Sequence, residues 1–278
     1  MKIREKLGLG TVQFGLQYGI SNEKGQTPAE EVVKILETAK SYKIEVLDTA
    51  SAYGSSEEIL GANDLSSFKI ISKFMPPQDG GSISKQFEHS SKKLGLEFLY
   101  GYLAHRPMDV LEHSEQWEEL LNLKAEAKVK KIGFSLNEPE ELEHLLEKGY
   151  SPDLVQVPYN YFDRRFEDLM IALKKNNCEI HTRSAFLQGL FFLNPHKLDV
   201  YFNEVKPLIT QLQEKKPLNG ALLKFVLEKS FIDKVIIGVE NESQLMQNIE
   251  NLEKAPSLPE LKNKISENIL IPSRWPKN

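Results

Sequence analysis

The feature that most constrains the fold is a regular alternation of short apolar segments with longer helical ones. Eight short runs of β-branched or apolar residues are each followed by a stretch with helical spacing. Buried parallel strands have this continuous apolar character. The predicted strands cover residues 6–12, 45–48, 68–73, 98–105, 131–135, 154–158, 179–183 and 234–238. Eight such units predict an α/β fold, a single (β/α)8 TIM barrel over residues 1–278 with a short C-terminal tail from about residue 256.

An open, doubly wound parallel sheet is the alternative fold for the same alternation. Such a sheet more often carries a glycine-rich phosphate turn, G-x-G-x-x-G, after its first strand. Here the first strand contains Gly8 and Gly10, but Gln13 stands where the third glycine belongs. The spacing therefore favours the closed barrel.

Helix-start signals accompany several of the helical stretches. Thr27 followed by Pro28 is typical of an N-cap with proline at the first helical position. Asn137 is a candidate cap for a helix over residues 138–146, and a further helix is predicted over 200–215. These signals place helices between the predicted strands, as a barrel requires.

Composition excludes several classes of protein. The chain has 278 residues with 40 acidic and 35 basic side chains, a net charge of −5, so it lacks the basic excess of a nucleic-acid-binding surface. The lone Cys178 excludes an intramolecular disulfide framework, and no His or Cys spacing predicts a metal site. No apolar stretch approaches the roughly 20 residues that span a bilayer. We expect a cytoplasmic protein with no membrane and no nucleic-acid partner.

The carboxyl ends of the predicted strands carry a set of reactive side chains. Active sites of barrels lie at those ends. Asp48, Lys73 and His105 end three successive strands, and Tyr53 follows five residues after Asp48. Singly, each also has a structural interpretation, such as a turn for Asp48 or a solvated charge for Lys73. Together they have a chemical use, because a lysine paired with aspartate favours phenolate and makes a nearby tyrosine a usable general acid.

This combination suits the reduction of a carbonyl group. A general acid beside a neutral imidazole can protonate and orient a carbonyl oxygen that becomes an alkoxide. Hydride must come from elsewhere, and a nicotinamide cofactor is its natural source. The residues therefore predict an oxidoreductase.

The chain resembles the aldo-keto reductases over nearly its whole length. The resemblance rests on GLGT (8–11), DTASAYG (48–54), ISK (71–73), LAHRP (103–107), KIGFS (131–135), VQVPYN (155–160) and IIGV (236–239). It implies a (β/α)8 barrel and NAD(P)H-dependent reduction of an aldehyde or ketone. On this resemblance Tyr53 is the proton donor, Lys73 and Asp48 tune it, and His105 orients the carbonyl.

The resemblance also implies which residues bind the cofactor. Ser135 and Gln156 match contacts to the nicotinamide carboxamide, and a helix N-terminus near residue 241 would favour a phosphate. The full set of matched positions is Gly10, Thr11, Val12, Ser135, Gln156, Arg183, Ser184, Leu187, Gly189, Gly238, Val239, Asn241, Gln244 and Asn248.

Four departures from the family pattern matter. Leu136 replaces an asparagine, and Arg183 replaces an aromatic residue that stacks on the nicotinamide. The Arg183 guanidinium could stack instead, bind an acidic substrate group, or pair with a carboxylate. Gly238 and Gln244, with Glu240 between them, stand where NADP-dependent members carry cations, which weakens the charge match to a 2′-phosphate. NADP is still the expected cofactor because it is the common choice of the family, and NAD remains open. The N-terminal hairpin is missing or reduced to residues 1–5.

The substrate is predicted to be a small carbonyl compound, sugar-like or otherwise polar. A loose likeness of residues 183–190 to members associated with bacterial surface polysaccharides suggests this. Arg106, Arg274 and Trp275 are candidate substrate contacts, although the tail could equally be an anchor on the barrel. We expect a monomer or a weak homo-oligomer.

Two other functions are compatible with the residues. A cofactor-bound regulatory module with little turnover would explain the departures at Leu136 and Arg183. A barrel lyase or epimerase would use Lys73 as a Schiff-base lysine and His105 as a proton shuttle.

Overall fold

The computed structural model describes residues 3–22 and 24–276. Within them, eight parallel strands close into a barrel in sequence order, with β1 paired to both β2 and β8. The strands are β1 (Leu7–Gly10), β2 (Val46–Asp48), β3 (Lys69–Phe74), β4 (Leu99–Ala104), β5 (Val129–Ser135), β6 (Leu154–Pro158), β7 (Glu179–Arg183) and β8 (Lys234–Gly238). The closed barrel is confirmed, and the last three strands have their predicted bounds.

Helices connect the strands around the outside of the barrel. Within the described residues, none of them has the length and apolar character that crossing a bilayer requires. They are α1 (Val12–Gly15), α2 (Ala29–Ser41), α3 (Ser56–Gly61), α4 (Pro77–Gly80), α5 (Ile83–Leu94), α6 (Asp109–Glu112), α7 (Glu115–Ala125), α8 (Pro139–Glu147), α9 (Glu167–Lys175), α10 (Lys206–Gln213), α11 (Leu218–Leu227), α12 (Glu242–Glu250) and α13 (Glu267–Leu270).

Three details of the predicted helices are wrong. The cap predicted at Thr27 is absent, because α2 begins two residues later without a side-chain cap. Asn137 does not cap α8, since Glu138 and Glu141 form a reciprocal capping box there. The helix predicted from residue 200 is divided into a 3-10 turn at Val200–Phe202 and α10. The capping box satisfies two backbone donors at once, which a single asparagine cannot do.

Side chains that alternate along the strands build the barrel interior in layers. A cluster separate from the outer core contains Val46, Ile71, Leu103, Leu154 and Ile236. Because successive side chains point to opposite faces of a strand, the residue two positions further on returns to the same face. Two positions after Val46, Ile71 and Leu154 stand Asp48, Lys73 and Gln156, respectively. The apolar layer therefore supports a polar layer at the carboxyl ends of the strands.

A polar network closes the opposite end of the barrel. The Glu179 carboxylate accepts hydrogen bonds from the Tyr100 hydroxyl at 2.7 Å and pairs with Lys131 at 3.0 Å and with His181 at 2.7 Å. Lys234 Nζ donates to a backbone carbonyl of the 3-10 turn Ile3–Lys6 at 2.7 Å. The network and the turn lie at the end of the barrel where the N-terminal hairpin is predicted to be missing or reduced to residues 1–5. Met1 and Lys2 lie outside the described residues.

The tail packs on the side of the barrel through a second apolar cluster. The Trp275 ring meets the Phe202 ring edge-on with centroids 5.2 Å apart, and its indole N–H donates to the Ile269 carbonyl at 2.9 Å. The same cluster includes residues of α10, α11 and the 3-10 segment Leu187–Phe192. Trp275 is therefore an anchor of the tail.

Two adjacent leucines of α7 give a matched test of this packing. Leu120 is fully buried against the barrel, whereas Leu121 is 40% exposed. Replacing Leu120 with alanine should lower the free energy of unfolding by about 2–5 kcal/mol, because it leaves a cavity. Leu121→Ala should cost less than about 1 kcal/mol. Urea-induced unfolding measures both free energies, and an equal loss of unfolding free energy in the two variants would contradict the assigned orientation of α7.

Candidate active site

A buried ion pair forms the floor of the site. Lys73 Nζ on β3 lies 2.7 Å from Asp48 Oδ2 at the end of β2, and the two side chains are 0% and 5% exposed. The ammonium also donates to the Thr49 carbonyl at 2.9 Å and to the Tyr53 hydroxyl at 3.3 Å. Three acceptors therefore satisfy its three donors, which an unpaired buried ammonium would lack.

Electrostatics keep Lys73 charged despite its burial. Burial alone lowers the pKa of this lysine, but the Asp48 carboxylate and the Tyr53 hydroxyl outweigh that effect and hold the pKa above its ordinary value. The other Asp48 oxygen, Oδ1, accepts from Gln156 Nε2 on β6 at 2.7 Å. Residues from three strands thus fix the orientation of one carboxylate.

Tyr53 is held in the loop between β2 and α3. Its ring lies edge-on to the His105 ring, with centroids 5.6 Å apart. Its backbone carbonyl accepts from the Ser56 N–H at 3.0 Å at the start of α3. A Cβ on Gly15 would come within 1.8 Å of that carbonyl oxygen, so α1 can approach the loop only with glycine there.

His105 completes the cluster one residue beyond β4. Its backbone N–H donates to the Phe74 carbonyl at 3.0 Å, which extends the pairing of β3 with β4. Burial, together with the charges of Lys73, Arg183 and Arg106, lowers the pKa of His105 to about 3. The imidazole is therefore neutral at physiological pH. Its Nδ1 is buried without a partner in the described part of the chain.

A cavity of about 1180 Å³ opens above this cluster. Its volume exceeds the roughly 300–1000 Å³ that is usual for drug-sized ligands, so it has room for a cofactor and a substrate together. Fourteen predicted contact residues line it: Gly10, Thr11, Val12, Asp48, Tyr53, His105, Arg106, Ser135, Arg183, Ser184, Gly189, Gly238, Gln244 and Asn248. The structure thus brings most of the predicted site to one cavity.

A match to a protein-family model shows which family the chain belongs to. The model of the Aldo/keto reductase family matches residues 6–265. The chain belongs to the aldo/keto reductase family. The match runs from β1 to the tail and includes the whole buried cluster.

Curated relatives of this aldo/keto reductase match only in part. Oxidoreductase sirO of Leptosphaeria maculans is 29% identical over 59% of this chain and 54% of its own length. Methylglyoxal reductase DkgA of Escherichia coli K12 is 28% identical over 55% of this chain and 56% of its own. The chain thus spans about half the length of the curated relatives it matches.

Solved structures of aldo-keto reductases share the barrel. Aldo-keto reductase AKR11C1 from Bacillus halodurans, in its holo form, has a TM-score of 0.71 at 20% identity over 91% of this chain and 88% of its own. The Klebsiella pneumoniae aldo-keto reductase solved in complex with NADPH has a TM-score of 0.66 at 21% identity, over 91% of this chain and 87% of its own. At this identity the likeness establishes the fold.

Six predicted ligand contacts of the reductase do not line the cavity. Leu187 and Trp275 pack in the second apolar cluster, and Val239 packs in the outer core. Arg274 pairs instead with Glu138 and Glu267 on the surface. Gln156 Nε2 donates to Asp48 Oδ1 while its Oε1 stays without a partner in the described residues, and Asn241 Oδ1 accepts from the Gln244 N–H. The cavity lining does not include these six residues, and their role as direct ligand contacts stays a prediction.

The start of α12 differs from the predicted phosphate site. The Asn241 side chain accepts from the Gln244 N–H at 3.0 Å, and Glu31 from α2 accepts from the Glu242 N–H at 2.8 Å. The latter hydrogen bond lowers the pKa of Glu31. Two backbone donors at this helix start, those of Glu242 and Gln244, are therefore occupied by protein side chains, and one of those side chains is a carboxylate.

The segment after β7 carries backbone strain. Ser184, Leu187 and Gln188 have φ values of 64°, 46° and 52°, which non-glycine residues rarely adopt. Such strain is costly and is often found at ligand sites. Gly189 follows with φ 91°, and a Cβ there would lie 2.0 Å from Ser21 Oγ. The segment therefore presses against the loop after β1 and forms one wall of the cavity.

Sequence reasoning missed several polar residues that line the cavity. Gln13, Tyr18, Asn137, Gln188 and Lys216 all face the cavity. Asn137 lies two residues beyond the end of β5, so the strand-end rule could have found it. Lys216 precedes α11, far from any strand end, and no sequence signal marks it.

The neutral state of His105 is directly measurable. Because its folded pKa is depressed, protonation opposes folding, so its contribution to stability is lost as the pH falls below the ordinary histidine value of about 6.5. Nitrogen-15 NMR should show a neutral His105 ring from pH 8 to pH 5, with the signal assigned by its loss in His105→Asn. A midpoint between pH 6 and 7 would contradict the assigned environment.

Proposed function

We propose that this chain reduces the carbonyl group of a polar, sugar-like aldehyde or ketone to the alcohol with NAD(P)H. The observation that carries the proposal is the buried Lys73–Asp48 pair bonded to Tyr53 and facing His105 at the floor of a large cavity. A reductase needs a proton donor and an oxyanion stabiliser on one carbonyl oxygen, and Tyr53 and His105 adjoin each other there.

Tyr53 supplies the proton in this proposal. Its hydroxyl accepts a hydrogen bond from the Lys73 ammonium, so its own proton is free for a carbonyl oxygen in the cavity. As that proton leaves, negative charge grows on the tyrosine oxygen, and the adjacent ammonium stabilises it. Asp48 keeps the ammonium protonated and in place.

His105 orients the carbonyl oxygen. Because its Nδ1 is buried, Nε2 is the ring nitrogen available to a ligand in the cavity. A neutral imidazole with its proton on Nε2 donates one hydrogen bond and adds no charge. That donor is fixed before the reaction, which is the condition for strong oxyanion stabilisation.

The cavity also fits a nicotinamide cofactor, which supplies hydride when bound. Glycines line its floor at Gly10 and Gly238, and a Cβ on Gly238 would lie 2.5 Å from Gln13 Oε1. Gln13 Oε1 and Gln156 Oε1 are both buried acceptors without partners in the described residues. Gln13 and Ser135 line the cavity and are the groups that we propose bind a carboxamide.

The burial of Lys73 argues against a Schiff-base mechanism. Its ammonium has three protein acceptors, has a raised pKa and does not line the cavity. A lysine nucleophile instead needs a lowered pKa and access to the substrate. The complete proton-donor cluster likewise favours turnover over a purely regulatory use of the cofactor.

We propose NADPH as the preferred cofactor, with Lys216 as the cation for its 2′-phosphate. Lys216 lines the cavity three residues before Asn219, whose side chain donates to Asn248 Oδ1 at 2.8 Å, and both of those residues line the cavity as well. Glu240 lines the same cavity and opposes a phosphate, so the preference depends on a single lysine.

Replacing Tyr53 with phenylalanine tests the proton donor. The variant should lower kcat for aldehyde reduction by about 100- to 10,000-fold while its NADPH affinity changes less than about threefold, because only the proton donor is lost. Tyr42→Phe, directly after α2 and outside the cavity lining, is the matched control and should retain activity. Unchanged turnover by Tyr53→Phe would contradict the assigned role.

Two adjacent lysines test the cofactor preference. Lys216→Gln should weaken NADPH binding about tenfold and NADH binding less than about twofold, because only NADPH carries the 2′-phosphate. Lys215→Gln, whose residue does not line the cavity, should change neither affinity. Fluorescence titration measures both, and equal losses for the two cofactors in Lys216→Gln would exclude a 2′-phosphate contact.

A further inference from the structure

A second, smaller cavity adjoins the active-site cavity. It has a volume of about 290 Å³ and is covered by tail residues 270–273. Arg183, Ser184, Asn137, Tyr18 and Gln188 line both cavities, so the two spaces meet at these residues. A substrate whose carbonyl lies beside Tyr53 could extend into this side cavity.

Arg183 places a positive charge at the junction. Its Nη2 donates to the Leu136 carbonyl at 2.9 Å and to Asn137 Oδ1 at 2.6 Å. Both acceptors are neutral, and no carboxylate of residues 3–22 or 24–276 lies within 4.0 Å of the guanidinium. Of the alternatives that the sequence left open for Arg183, the pair with a carboxylate is therefore absent from the described chain, and Arg183 lines both cavities.

Arg165 adds a second guanidinium to the wall of the side cavity. Its Nε and Nη2 bind the buried Asp163 at 3.0 and 2.9 Å, but its Nη1 is buried without a partner in the described residues. A buried donor without an acceptor is costly, and a ligand oxygen would relieve that cost.

The nearby acids are already paired. Asp163 is bound by Arg165, while Glu138 and Glu267 are both bound by Arg274 on the surface. At the other side of the mouth, Arg106 pairs with Asp79 at 3.3 Å. Of the two arginines that line the side cavity, Arg165 and Arg183, only Arg183 has no carboxylate partner among the described residues, and its charge can attract an anionic ligand.

We propose that the substrate of the reductase is an anionic carbonyl compound, whose carboxylate or phosphate binds Arg183 at the junction of the two cavities. The inference rests on the proposed function and specifies its substrate class. A planar guanidinium can bind either group through two parallel hydrogen bonds. Arg183 is thus a substrate-binding residue, and its separation from Tyr53 determines the length of chain between the carbonyl and the anion.

The test compares substrates that differ in charge. The first pair is 4-oxobutanoate and 4-oxobutanamide, and the second is glyceraldehyde 3-phosphate and glyceraldehyde. At saturating NADPH, kcat/KM should be about 10- to 100-fold higher for at least one acid than for its neutral partner. The pair with the larger ratio identifies a carboxylate or a phosphate. Ratios near one in both pairs would overturn the inference.

Variants assign the preference to Arg183. Arg183→Gln should lower kcat/KM for the acid at least about tenfold more than for its neutral partner, and Arg183→Lys should restore part of that difference. Arg4→Gln makes the same charge change at the amino-terminal end of the barrel and should keep the preference. An equal loss for acid and neutral substrates, with weaker NADPH binding, would mean that Arg183 contacts only the cofactor and would overturn the inference.

The remaining outcomes separate this inference from the proposed function. Turnover without charge preference would overturn the inference and leave the reductase proposal standing. Turnover of no carbonyl would overturn the reductase proposal. In that case calorimetric binding of 4-hydroxybutanoate and 4-hydroxybutanamide to the NADPH-loaded protein decides the charge preference without turnover. If Arg183→Gln fails to fold, the wild-type substrate ratios and Arg183→Lys still decide it.

Discussion

The buried pair of Lys73 and Asp48 is the interaction on which the rest of the site depends. A buried ammonium or carboxylate is costly unless its partners are complete. Completing them requires β2 and β3 to be adjacent, the Thr49 carbonyl to turn inward and Gln156 to reach across from β6. Closing the barrel therefore also assembles the site. The Tyr53 hydroxyl is the remaining acceptor of the Lys73 ammonium, on the side that faces the cavity.

Charge is distributed unevenly along the cavity. Burial, together with the charges of Lys73, Arg183 and Arg106, lowers the pKa of His105 and keeps its imidazole neutral. At the other end Glu240 lines the cavity, and Glu31 occupies the start of α12. The catalytic end therefore favours an oxyanion and an anionic substrate, whereas the far end offers one lysine to a cofactor phosphate.

The fold and the centre of the site could be predicted from the sequence because both follow local patterns. Strand periodicity predicts the barrel, and the strand-end rule finds Asp48, Lys73 and His105. The start of α12 could not be predicted, because Glu31 competes for its backbone donors from a position 211 residues away. Lys216 was missed for a similar reason, since only the packing of α11 brings it to the cavity.

Deuterium transfer tests the central claim most directly. NADPH deuterated on the transferred position of its nicotinamide ring would be incubated with the protein and glyceraldehyde, and the product would be analysed by mass spectrometry. If the cluster around Lys73 and Asp48 supports carbonyl reduction, the glycerol formed will carry deuterium on the former carbonyl carbon. Consumption of NADPH without deuterium in the alcohol, or no consumption with any carbonyl compound, would contradict that claim.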